Sequence, residues 1–383
     1  MKILIAPDSF KDCLSSEQVA GFLGEGITDV YPEADITVFP VADGGEGTAS
    51  CIYFHRGGRW KRVRVSDPLY RPVLSDYLIL EDENTAVIEL ARASGLELLS
   101  RGERDALKTS TFGTGELIKD ALDEGLKKII LTIGGSATVD GGAGIAAALG
   151  FRFIDKDGKN IEQITGGKLY AISNINIDGL HPLFRETEII IACDVNNLLN
   201  GEEGAARVYG PQKGADAGAV ALLEKGLIHL SALVAHKTGF DADKHPGTGA
   251  AGGASLFPLA YGKGMLRSGF GIIMELTDFM DEILKSDLVI SGEGKIDRQT
   301  AYGKVVSSIA SLSVKNNIPF IVTGGIAEGD KELLKRQFEA RELFSVRDLA
   351  LSDDDSFDNA PGYLRQIGMI IAKNITSGLY TRT

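Results

Sequence analysis

Clusters of basic residues, membrane-length apolar runs and cysteine pairs are all missing from this sequence of 383 residues. The formal net charge is −13 and lysine and arginine form no block, which argues against nucleic acid as a partner. No run approaches the roughly 18 apolar residues that a membrane span needs, so we expect no membrane partner. Three isolated cysteines, Cys13, Cys51 and Cys193, predict a reduced, cytoplasmic protein.

Signatures of several enzyme classes are absent as well. The five histidines show no metal-ligand spacing, and neither a Gly-x-Ser-x-Gly hydrolase turn nor a Walker phosphate loop, Gly-x-x-x-x-Gly-Lys-Ser/Thr, occurs. A formal Gly-x-Gly-x-x-Gly is present at 247–252, but it follows Asp-Lys-His-Pro instead of a predicted strand. The context that a dinucleotide-binding motif requires is therefore lacking, and a glycine loop beside a ligand or another helix is the better interpretation.

Glycine, in contrast, is abundant, with 47 of 383 residues, or about 12% against a usual ~7%. The most informative glycine loop follows an apolar run at 129–133 and precedes an alanine-rich predicted helix at 143–149. Backbone amides of such a loop, together with a helix N-terminus, can bind an anion. The alternative is an ordinary tight turn between strand and helix. The candidate phosphate-binding residues of this loop are Gly134, Gly135, Ser136, Thr138, Asp140, Gly141 and Gly142.

Four more predicted strands end in acidic, glycine-rich or lysine-containing loops. A single acid after a strand is usually a helix cap or a solvated turn, but five such loops in one chain favour a functional site. In open parallel sheets, ligands bind at the carboxyl ends of the strands. The candidates after strands 2–6, 36–39, 189–192 and 288–290 are, respectively, Asp8, Ser9 and Lys11; Asp43, Gly44, Gly45 and Glu46; Asp194; and Glu293, Lys295 and Asp297.

The order of predicted elements indicates an α/β fold with two α/β domains. Strands and helices alternate up to about residue 55, give way to a meander of short strands at 59–90, and alternate regularly again from about 285. We therefore expect a discontinuous domain with an open, parallel, Rossmann-like sheet, formed by 1–60 and 285–383. A second, mixed-sheet domain, 61–284, would be inserted into it. Enzymes of this kind usually place the active site in the cleft between the domains, and we expect it there.

Taken in order, the loops resemble the motifs of the bacterial glycerate kinase type-1 family from residue 1 to about 325. The matching segments are Asp8-Ser-Phe-Lys11, Ala42-Asp-Gly-Gly-Glu-Gly-Thr48, Gly134-Gly-Ser-Ala-Thr138, Asp140-Gly-Gly142, Ala192-Cys-Asp-Val195, Gly210-Pro-Gln-Lys-Gly-Ala215, Gly249-Ala-Ala-Gly-Gly253, Gly292-Glu-Gly-Lys-Ile-Asp297 and Gln299-Thr300. Departures are few. Asp12-Cys13 and Val139 stand where the family commonly has Gly-Ser and Asn, and Tyr70 where it often has Gly.

The resemblance implies ATP-dependent phosphorylation of D-glycerate, mainly at the 2-hydroxyl, to give 2-phosphoglycerate. Magnesium is the expected partner of ATP, because it bridges phosphates and is usually held by one or two protein carboxylates. Asp8, Lys11, Asp194 and Asp297 are the catalytic candidates, and Asp194 or Asp297 is the candidate metal ligand. The residues expected to bind substrate are Ser9, Asp43, Gly44, Gly45, Glu46, Lys213, Glu293 and Lys295. Which carboxylate accepts the hydroxyl proton stays open at this point.

Two other functions compete with this hypothesis. A nicotinamide-dependent oxidoreductase of a small hydroxy acid would use the glycines at 247–252, but it also needs a preceding strand and an acid about 20 residues on. A two-domain ligand sensor without catalysis would not call for several carboxylates beside one anion. Both alternatives therefore explain less of the sequence than phosphoryl transfer does.

Overall fold

The computed structural model describes residues 1–81, 84–298, 300 and 305–380. Gln299, Gly303 and Lys304, which the sequence associates with a motif and the start of a helix, lie outside the described residues. The strands are β1 Lys2–Ile5, β2 Asp35–Val38, β3 Arg59–Ser66, β4 Pro72–Leu80, β5 Thr85–Glu89, β6 Lys128–Thr132, β7 Arg152–Ile154, β8 Asn174–Asn176, β9 Glu188–Ala192, β10 Lys263–Arg267, β11 Leu288–Ile296, β12 Phe320–Ala327 and β13 Glu342–Ser345.

Helices connect most of these strands, as the alternating sequence pattern predicts. They are α1 Ser16–Val30, α2 Thr48–Arg56, α3 Ala91–Ser94, α4 Phe112–Asp123, α5 Ala143–Ala148, α6 Ala205–Tyr209, α7 Ala217–Thr238, α8 Leu256–Tyr261, α9 Gly269–Leu276, α10 Phe279–Lys285, α11 Val305–Lys315, α12 Lys331–Gln337, α13 Val346–Leu349, α14 Asp353–Asp358 and α15 Ala360–Thr376. Helix α1 starts at Ser16 because Ser15 caps it and exchanges capping-box hydrogen bonds with Gln18.

The chain forms two compact units, one of residues 1–43, 50–55 and 270–383 and one of residues 44–49 and 56–269. The first contains a fully parallel sheet in the order β13-β12-β11-β1-β2. Strands from both ends of the chain thus share one sheet, which confirms the predicted fold class. Helix α10, which precedes β11, belongs to this unit, and its Phe279 and Ile283 lie in the core on one face of the sheet.

Side chains of the central strands alternate between two hydrophobic cores in the first unit. Ile3 and Ile5 of β1 pack with buried residues of α1 and α15, whereas Leu4 packs with buried residues of α10 and α11. This alternation follows from the two-residue period of a strand, and burial on both faces explains why the strand sequences are almost wholly apolar. The sheet is therefore a rigid support for the loops that leave its carboxyl edge.

The second unit has a mixed sheet in the order β10-β9-β6-β5-β4-β3 and a small pair, β7-β8. The meander predicted at 59–90 is the antiparallel part, β3-β4-β5, and the remaining strands run parallel to β5. Helix α7 in this unit is the one described helix that is long and apolar enough to span a membrane by length and composition, although 33% of its most apolar window is buried. Its Leu223, Leu227, Leu230 and Val234 belong to the unit's hydrophobic core, which accounts for the apolar composition.

One predicted loop proves to be a strand. The sequence indicates a short strand at 288–290 followed by a glycine loop, but β11 continues to Ile296 and pairs with β12 as far as Ala327. Glycine is required there by close packing. A Cβ at Gly292 would lie 1.9 Å from the Thr323 carbonyl oxygen, and one at Gly294 would lie 3.2 Å from Phe10 Cα. The glycines that resemble a flexible loop thus let neighbouring backbones approach an extended strand.

Candidate active site

The parallel sheet of the first unit has a topological switch point between β1 and β11. Numbered within the sheet, its strand order is 2-1-3-4-5, the doubly wound order in which ligands bind outside the carboxyl ends of the strands where the connections reverse direction. The loop after β1 carries Asp8, Ser9 and Lys11, and the far end of β11 carries Glu293 and Lys295. Five residues predicted from separate parts of the sequence therefore meet at the place where the fold favours a ligand.

Asp8 is the buried carboxylate of this group, with 5% of its surface exposed. Its own N–H donates to the Gly292 carbonyl at 2.8 Å, which fixes the loop to β11, and the Ser9 N–H donates to Asp8 Oδ1 at 2.6 Å. Burial raises the pKa of Asp8 well above its usual value, and the negative charge of Asp43 raises it further. A raised pKa makes the ionised carboxylate a stronger base, which suits a proton acceptor.

Lys11 supplies positive charge beside these acids. Its Nζ lies 3.6 Å from Asp43 Oδ2, and its side chain is 72% exposed. The charge of Asp43 raises the pKa of Lys11, with smaller contributions from Asp8 and Glu293. The amine consequently stays protonated and accessible, as the contact with an anionic ligand requires.

A cavity of about 470 Å³ opens at this group of residues. Asp8, Ser9, Lys11, Glu293, Lys295 and Asp297 line its polar part. Asp297 lies in a turn just after β11, where it exchanges hydrogen bonds with Thr300 and its Oδ2 is 3.6 Å from Lys295 Nζ. The other partner of Lys295 is Glu328 at 2.8 Å, and this contact raises the pKa of Lys295. The volume is in the range of small-molecule sites.

Sequence analysis missed the second wall of this cavity, which is apolar. Phe10, Ile326, Val346 and Phe357 line it, together with Cys13, and the cavity lining also includes Arg347, Asp353 and Ser356. Ile326 lies in the extended part of β12, and Val346 and Phe357 come from the short helices α13 and α14 in the less distinctive tail of the sequence. The only available signal was Phe357 itself, a large apolar residue in the otherwise acidic and polar stretch Asp-Asp-Asp-Ser-Phe-Asp.

In the second unit, the glycine loop after β6 is organised around the buried Asp140. This carboxylate accepts hydrogen bonds from Thr111 N and Oγ1 and from the amides of Gly142 and Gly144, at 2.8 to 3.1 Å. Burial raises the pKa of Asp140, although these donors favour its charged form. The Gly141 amide donates to the Gly252 carbonyl at 2.9 Å. The amides of Gly141 and Gly142 are thus engaged within the protein, and their phosphate-binding role stays a prediction.

Lys213 fixes the preceding part of the same loop. It is only 2% exposed, and its Nζ donates to Ser136 Oγ at 2.7 Å and to the Thr138 carbonyl at 2.8 Å. Burial lowers the pKa of Lys213 to about 7, against the opposing effect of Asp140. The buried hydroxyl of Thr138 has no hydrogen-bond partner among the residues that the structure describes. Lys213 is therefore a buried group that titrates near neutrality.

Glycines predicted to bind ligand also allow close backbone contacts in this unit. A Cβ at Gly134 would lie 2.7 Å from Gly45 Cα, and one at Gly44, whose φ is +83°, would lie 2.7 Å from Gly269 Cα. The formal nucleotide motif at 247–252 has the same explanation, because a Cβ at Gly252 would lie 2.1 Å from the Thr138 carbonyl. Packing between loops, with no strand directly before the motif, removes the main support for a nicotinamide site.

Asp194 and Glu46 are exposed in the second unit. Both oxygens of Asp194 accept from the Gly269 amide, at 3.1 and 3.2 Å, so this carboxylate holds the first residue of α9. Desolvation raises the pKa of Glu46, and the charge of Glu97 and a hydrogen bond to it have the same effect. Metal binding by Asp194 stays a prediction. Across the described residues, no group of three histidine, cysteine or acidic side chains is arranged to hold a metal ion.

Two departures from the family pattern are explained by backbone conformation. Asp12 has φ +60° and Tyr70 has φ +63°, in the left-handed region where glycine is least strained. Aspartate tolerates this region comparatively well. Tyr70 is held there by its hydroxyl, which donates to the Ile164 carbonyl at 2.7 Å and is hydrogen-bonded to the Ser110 hydroxyl at 2.9 Å.

The fold and these residues define a class of enzyme. A doubly wound sheet, a polar cavity at its switch point, and carboxylates beside lysines suit a phosphotransferase that acts by positioning and electrostatics. The family model described as "Glycerate kinase family" matches residues 3–376, and the chain belongs to this family. The resemblance inferred from the sequence motifs is confirmed, and membership of a kinase family implies the use of ATP.

Individual relatives cover almost the whole chain. It is 40% identical over 376 residues to a glycerate kinase of Bacillus subtilis, with 98% of each chain covered, and 39% identical over 371 residues to one of Halalkalibacterium halodurans, with 97% of each covered. It is 38% identical over 379 residues to glycerate 2-kinase of Escherichia coli, with 99% of each covered. A solved structure described as a candidate glycerate kinase 2 from Salmonella typhimurium LT2 superposes with a TM-score of 0.84 at 38% identity, covering 99% of both chains.

Proposed function

We propose that this protein transfers the γ-phosphoryl group of ATP to the 2-hydroxyl of D-glycerate, forming 2-phosphoglycerate and ADP in the cytoplasm. The observation that carries the proposal is the buried Asp8, beside Lys11 and Asp43, at the switch point of the parallel sheet. Family membership supplies the reaction class, and the name of the Escherichia coli relative supports the 2-position. The three free cysteines are consistent with a reducing compartment.

In the proposed reaction, the glycerate hydroxyl oxygen attacks the γ-phosphorus in line with the departing ADP. One phosphorus–oxygen bond forms, the bond to the bridging oxygen of ADP breaks, and the hydroxyl proton passes to Asp8. The raised pKa of Asp8 favours this transfer, because a carboxylate with a raised pKa binds the proton more strongly than an ordinary aspartate does. Asp297, which lines the same cavity, is the alternative base.

Two lysines of the cavity would neutralise the negative charge of the substrates. Lys11 and Lys295 both line it, and neighbouring carboxylates raise the pKa of each. We assign Lys11 to the glycerate carboxylate or the transferring phosphoryl group. Since a chain with a net charge of −13 has no general attraction for anionic ligands, such local cations carry the binding.

Magnesium fits this arrangement as a partner of ATP more than as a resident ion. The described residues provide no three-ligand cluster, but Asp43 and Asp297 could each contribute one carboxylate, which is what a nucleotide-borne Mg²⁺ usually requires. When bound, the ion would neutralise charge on the β- and γ-phosphates. The negative charges of Asp43 and Glu293 both raise the pKa of Asp8, and such crowding of acids is consistent with a cation nearby.

The alternative to Lys11 and Lys295 as the phosphate-binding element is the glycine loop of the second unit, with Gly134, Gly135 and Ser136 as its contacts. Lys213 and Asp140 would support this loop through hydrogen bonds, because Lys213 fixes Ser136 and Asp140 fixes the Gly142 amide. This division leaves the buried pair with a positioning role and the less buried glycines with a binding role. Exchange of Lys213 for Met should then alter KM for ATP through the loop.

A coupled assay of ADP formation with purified protein, ATP, Mg²⁺ and D-glycerate tests the proposal. We expect ADP only when D-glycerate is present, no turnover with excess chelator, and a 2-phosphate product by phosphorus NMR. Stimulation by a different hydroxy acid or sugar acid, without any by D-glycerate, would show that the substrate is wrong. Asp12→Asn, an exposed carboxylate change in the same loop as Asp8, is a suitable control variant.

A further inference from the structure

The cavity of the first unit has more room and a different surface than D-glycerate needs. A three-carbon acid with a carboxylate and two hydroxyls has almost no apolar surface, and the polar wall alone satisfies it. The cavity measures about 470 Å³, and beyond the acids and lysines already described its lining contains the apolar side chains of Phe10, Ile326, Val346 and Phe357 together with the polar ones of Arg347, Asp353 and Ser356. The second substrate of the proposed reaction, ATP, is the one that combines a polyanion with a flat aromatic ring.

We propose that the apolar wall of this cavity, with Phe357 as its outer face, binds the adenine ring of ATP. The proposal rests on the function proposed above and extends it by assigning the base to the first unit. The phosphates would then extend towards Lys11 and Lys295 on the polar wall of the same cavity. The four apolar side chains offer no favourable contact to a phosphate or to glycerate, and Arg347, which lines the same cavity, is already paired with Asp353.

Three observations carry the assignment to an aromatic ligand. Phe10 and Val346 are 3% and 1% exposed and form a fixed floor, whereas the Phe357 side chain is 55% exposed at the cavity edge. Helix α14, which bears Phe357, is connected to the loop after β1 because the Cys13 thiol donates to the Phe357 carbonyl at 3.6 Å. The cavity also lies at the switch point of the sheet, where a fold with this strand order favours ligand binding.

Phe357→Ala tests the proposal, and Leu351→Ala is its matched control. Leu351 lies in the same segment and is 91% exposed, and it does not line the cavity. By calorimetry, we expect Phe357→Ala to bind ADP about tenfold more weakly, equivalent to about 1.4 kcal/mol, because stacking on an aromatic ring is lost. Phe357→Tyr should retain the affinity, and Leu351→Ala should bind as the wild type does.

Two simpler probes separate the base from the phosphates. Adenosine should lose affinity for Phe357→Ala by the same factor as ADP, whereas tripolyphosphate, which has no base, should bind both proteins equally. Unchanged ADP and adenosine affinity in Phe357→Ala, or an equal loss for tripolyphosphate, would overturn the proposal. Melting temperatures of all variants should match the wild type, since Phe357 is more than half exposed.

Chemical protection of Cys13 gives an independent measurement on the wild-type protein. Cys13 lines the cavity and is partly exposed, whereas Cys51 is 3% exposed and reports any general unfolding. Adenosine should slow modification of Cys13 by N-ethylmaleimide, measured by peptide mass spectrometry, and D-glycerate alone should not. An unchanged rate with saturating adenosine would contradict the assignment.

These results are distinguishable from a failure of the proposed function. If the wild type phosphorylates D-glycerate but Phe357→Ala keeps its affinity for ADP, the kinase assignment stands and the adenine site is wrong. If Phe357→Ala loses affinity for adenosine but no glycerate phosphorylation occurs, the nucleotide site stands and the substrate is different. In the working enzyme, Phe357→Ala should raise KM for ATP and leave KM for D-glycerate unchanged.

Discussion

Replacement of Asp8 by Asn removes the charge of the proposed base and keeps its shape. The Ser9 amide can still donate to the Oδ1 atom of the substituted side chain, since this contact of 2.6 Å requires only an oxygen acceptor. The carboxamide group, however, cannot take up the hydroxyl proton. A positioned general base contributes roughly 10²- to 10⁴-fold to the rate, so we expect kcat to fall by this factor, or about 3–5 kcal/mol in activation free energy.

The stability of the same variant should change in the opposite direction. The pKa of Asp8 is raised in the folded protein, chiefly by burial, so the folded state prefers the protonated carboxyl. The favourable contribution of Asp8 is complete below its unfolded pKa of about 3.9 and is lost as pH rises through the folded value. Asn is neutral throughout, so Asp8→Asn should melt at a higher temperature than the wild type at pH 8, and the difference should shrink towards pH 4.

The pH dependence of turnover checks the origin of this raised pKa. Activity should fall as pH decreases through the pKa of Asp8, because only the ionised carboxylate accepts a proton. Asp43→Asn removes the neighbouring charge that raises this pKa after burial, and it should move the acidic limb of the profile to lower pH. An acidic limb at the same pH in Asp43→Asn would show that another group controls turnover.

Asp12→Asn distinguishes the loss of one particular carboxylate from a general change in charge. Asp12 is exposed and lies in the same loop, and Asn also tolerates its φ of +60°. We expect near-normal kcat and melting temperature for this control. A lower melting temperature with normal kcat in Asp8→Asn would refute the reasoning, because that result belongs to a residue that only stabilises the loop.

Three further predictions concern other residues. Burial lowers the pKa of Lys213 to about 7, so the folded state prefers the neutral amine. The stabilising contribution of Lys213 is therefore present above its unfolded pKa of about 10.4 and is lost as pH falls towards 7. As the pH is lowered from 10 to 7, the melting temperature of Lys213→Met should rise relative to that of the wild type. Asp140→Ala should lower the free energy of unfolding by about 1–3 kcal/mol for each buried donor left unpaired, measured by urea titration. An unchanged midpoint would contradict the role of Asp140 in organising the glycine loop. Asp12→Gly should leave the free energy of unfolding unchanged or raise it by up to about 1 kcal/mol, because glycine is unstrained at positive φ. Tyr70→Gly should lower it despite the similar φ, because two hydrogen bonds of the hydroxyl are lost. Tyr70→Phe loses only those two bonds and measures their contribution to the free energy of unfolding.

Local sequence patterns predict the strands and helices of this protein well where the pattern follows from burial or from helix capping. The buried strands Lys2–Ile5 and Glu188–Ala192 are short apolar runs, and α1 begins at a capping box that can be identified directly in the sequence. The return of alternating strands and helices near residue 285 predicts that both ends of the chain share one sheet. Acidic residues at strand ends predict the polar wall of the cavity, because parallel strands bring their carboxyl ends to one edge.

The function of the glycine-rich segments could not be predicted from the sequence, because a glycine can be required for more than one physical reason. Gly292 and Gly294 lie in a strand that runs against neighbouring backbone, and Gly252 packs on the Thr138 carbonyl. A close approach between two backbones requires glycine just as a ligand-binding turn does, so the sequence does not distinguish the two. The apolar wall was missed for a different reason, since Phe357 and Val346 reach the cavity from short helices whose sequences have no periodic pattern.

Asp8 and Lys213 show how burial shifts the pKa of an acid and that of a base in opposite directions. Asp8 is an acid whose pKa burial raises, and Lys213 is a base whose pKa burial lowers to about 7, so both are moved towards neutrality. Each costs stability at the pH where it is charged. Asn could accept the Ser9 hydrogen bond in place of Asp8, whereas Met could not replace the two hydrogen bonds that Lys213 donates. Buried groups with such shifts are concentrated at functional sites, since the cost is offset only by the reaction. The increase in stability expected for Asp8→Asn is thus the counterpart of its loss of activity.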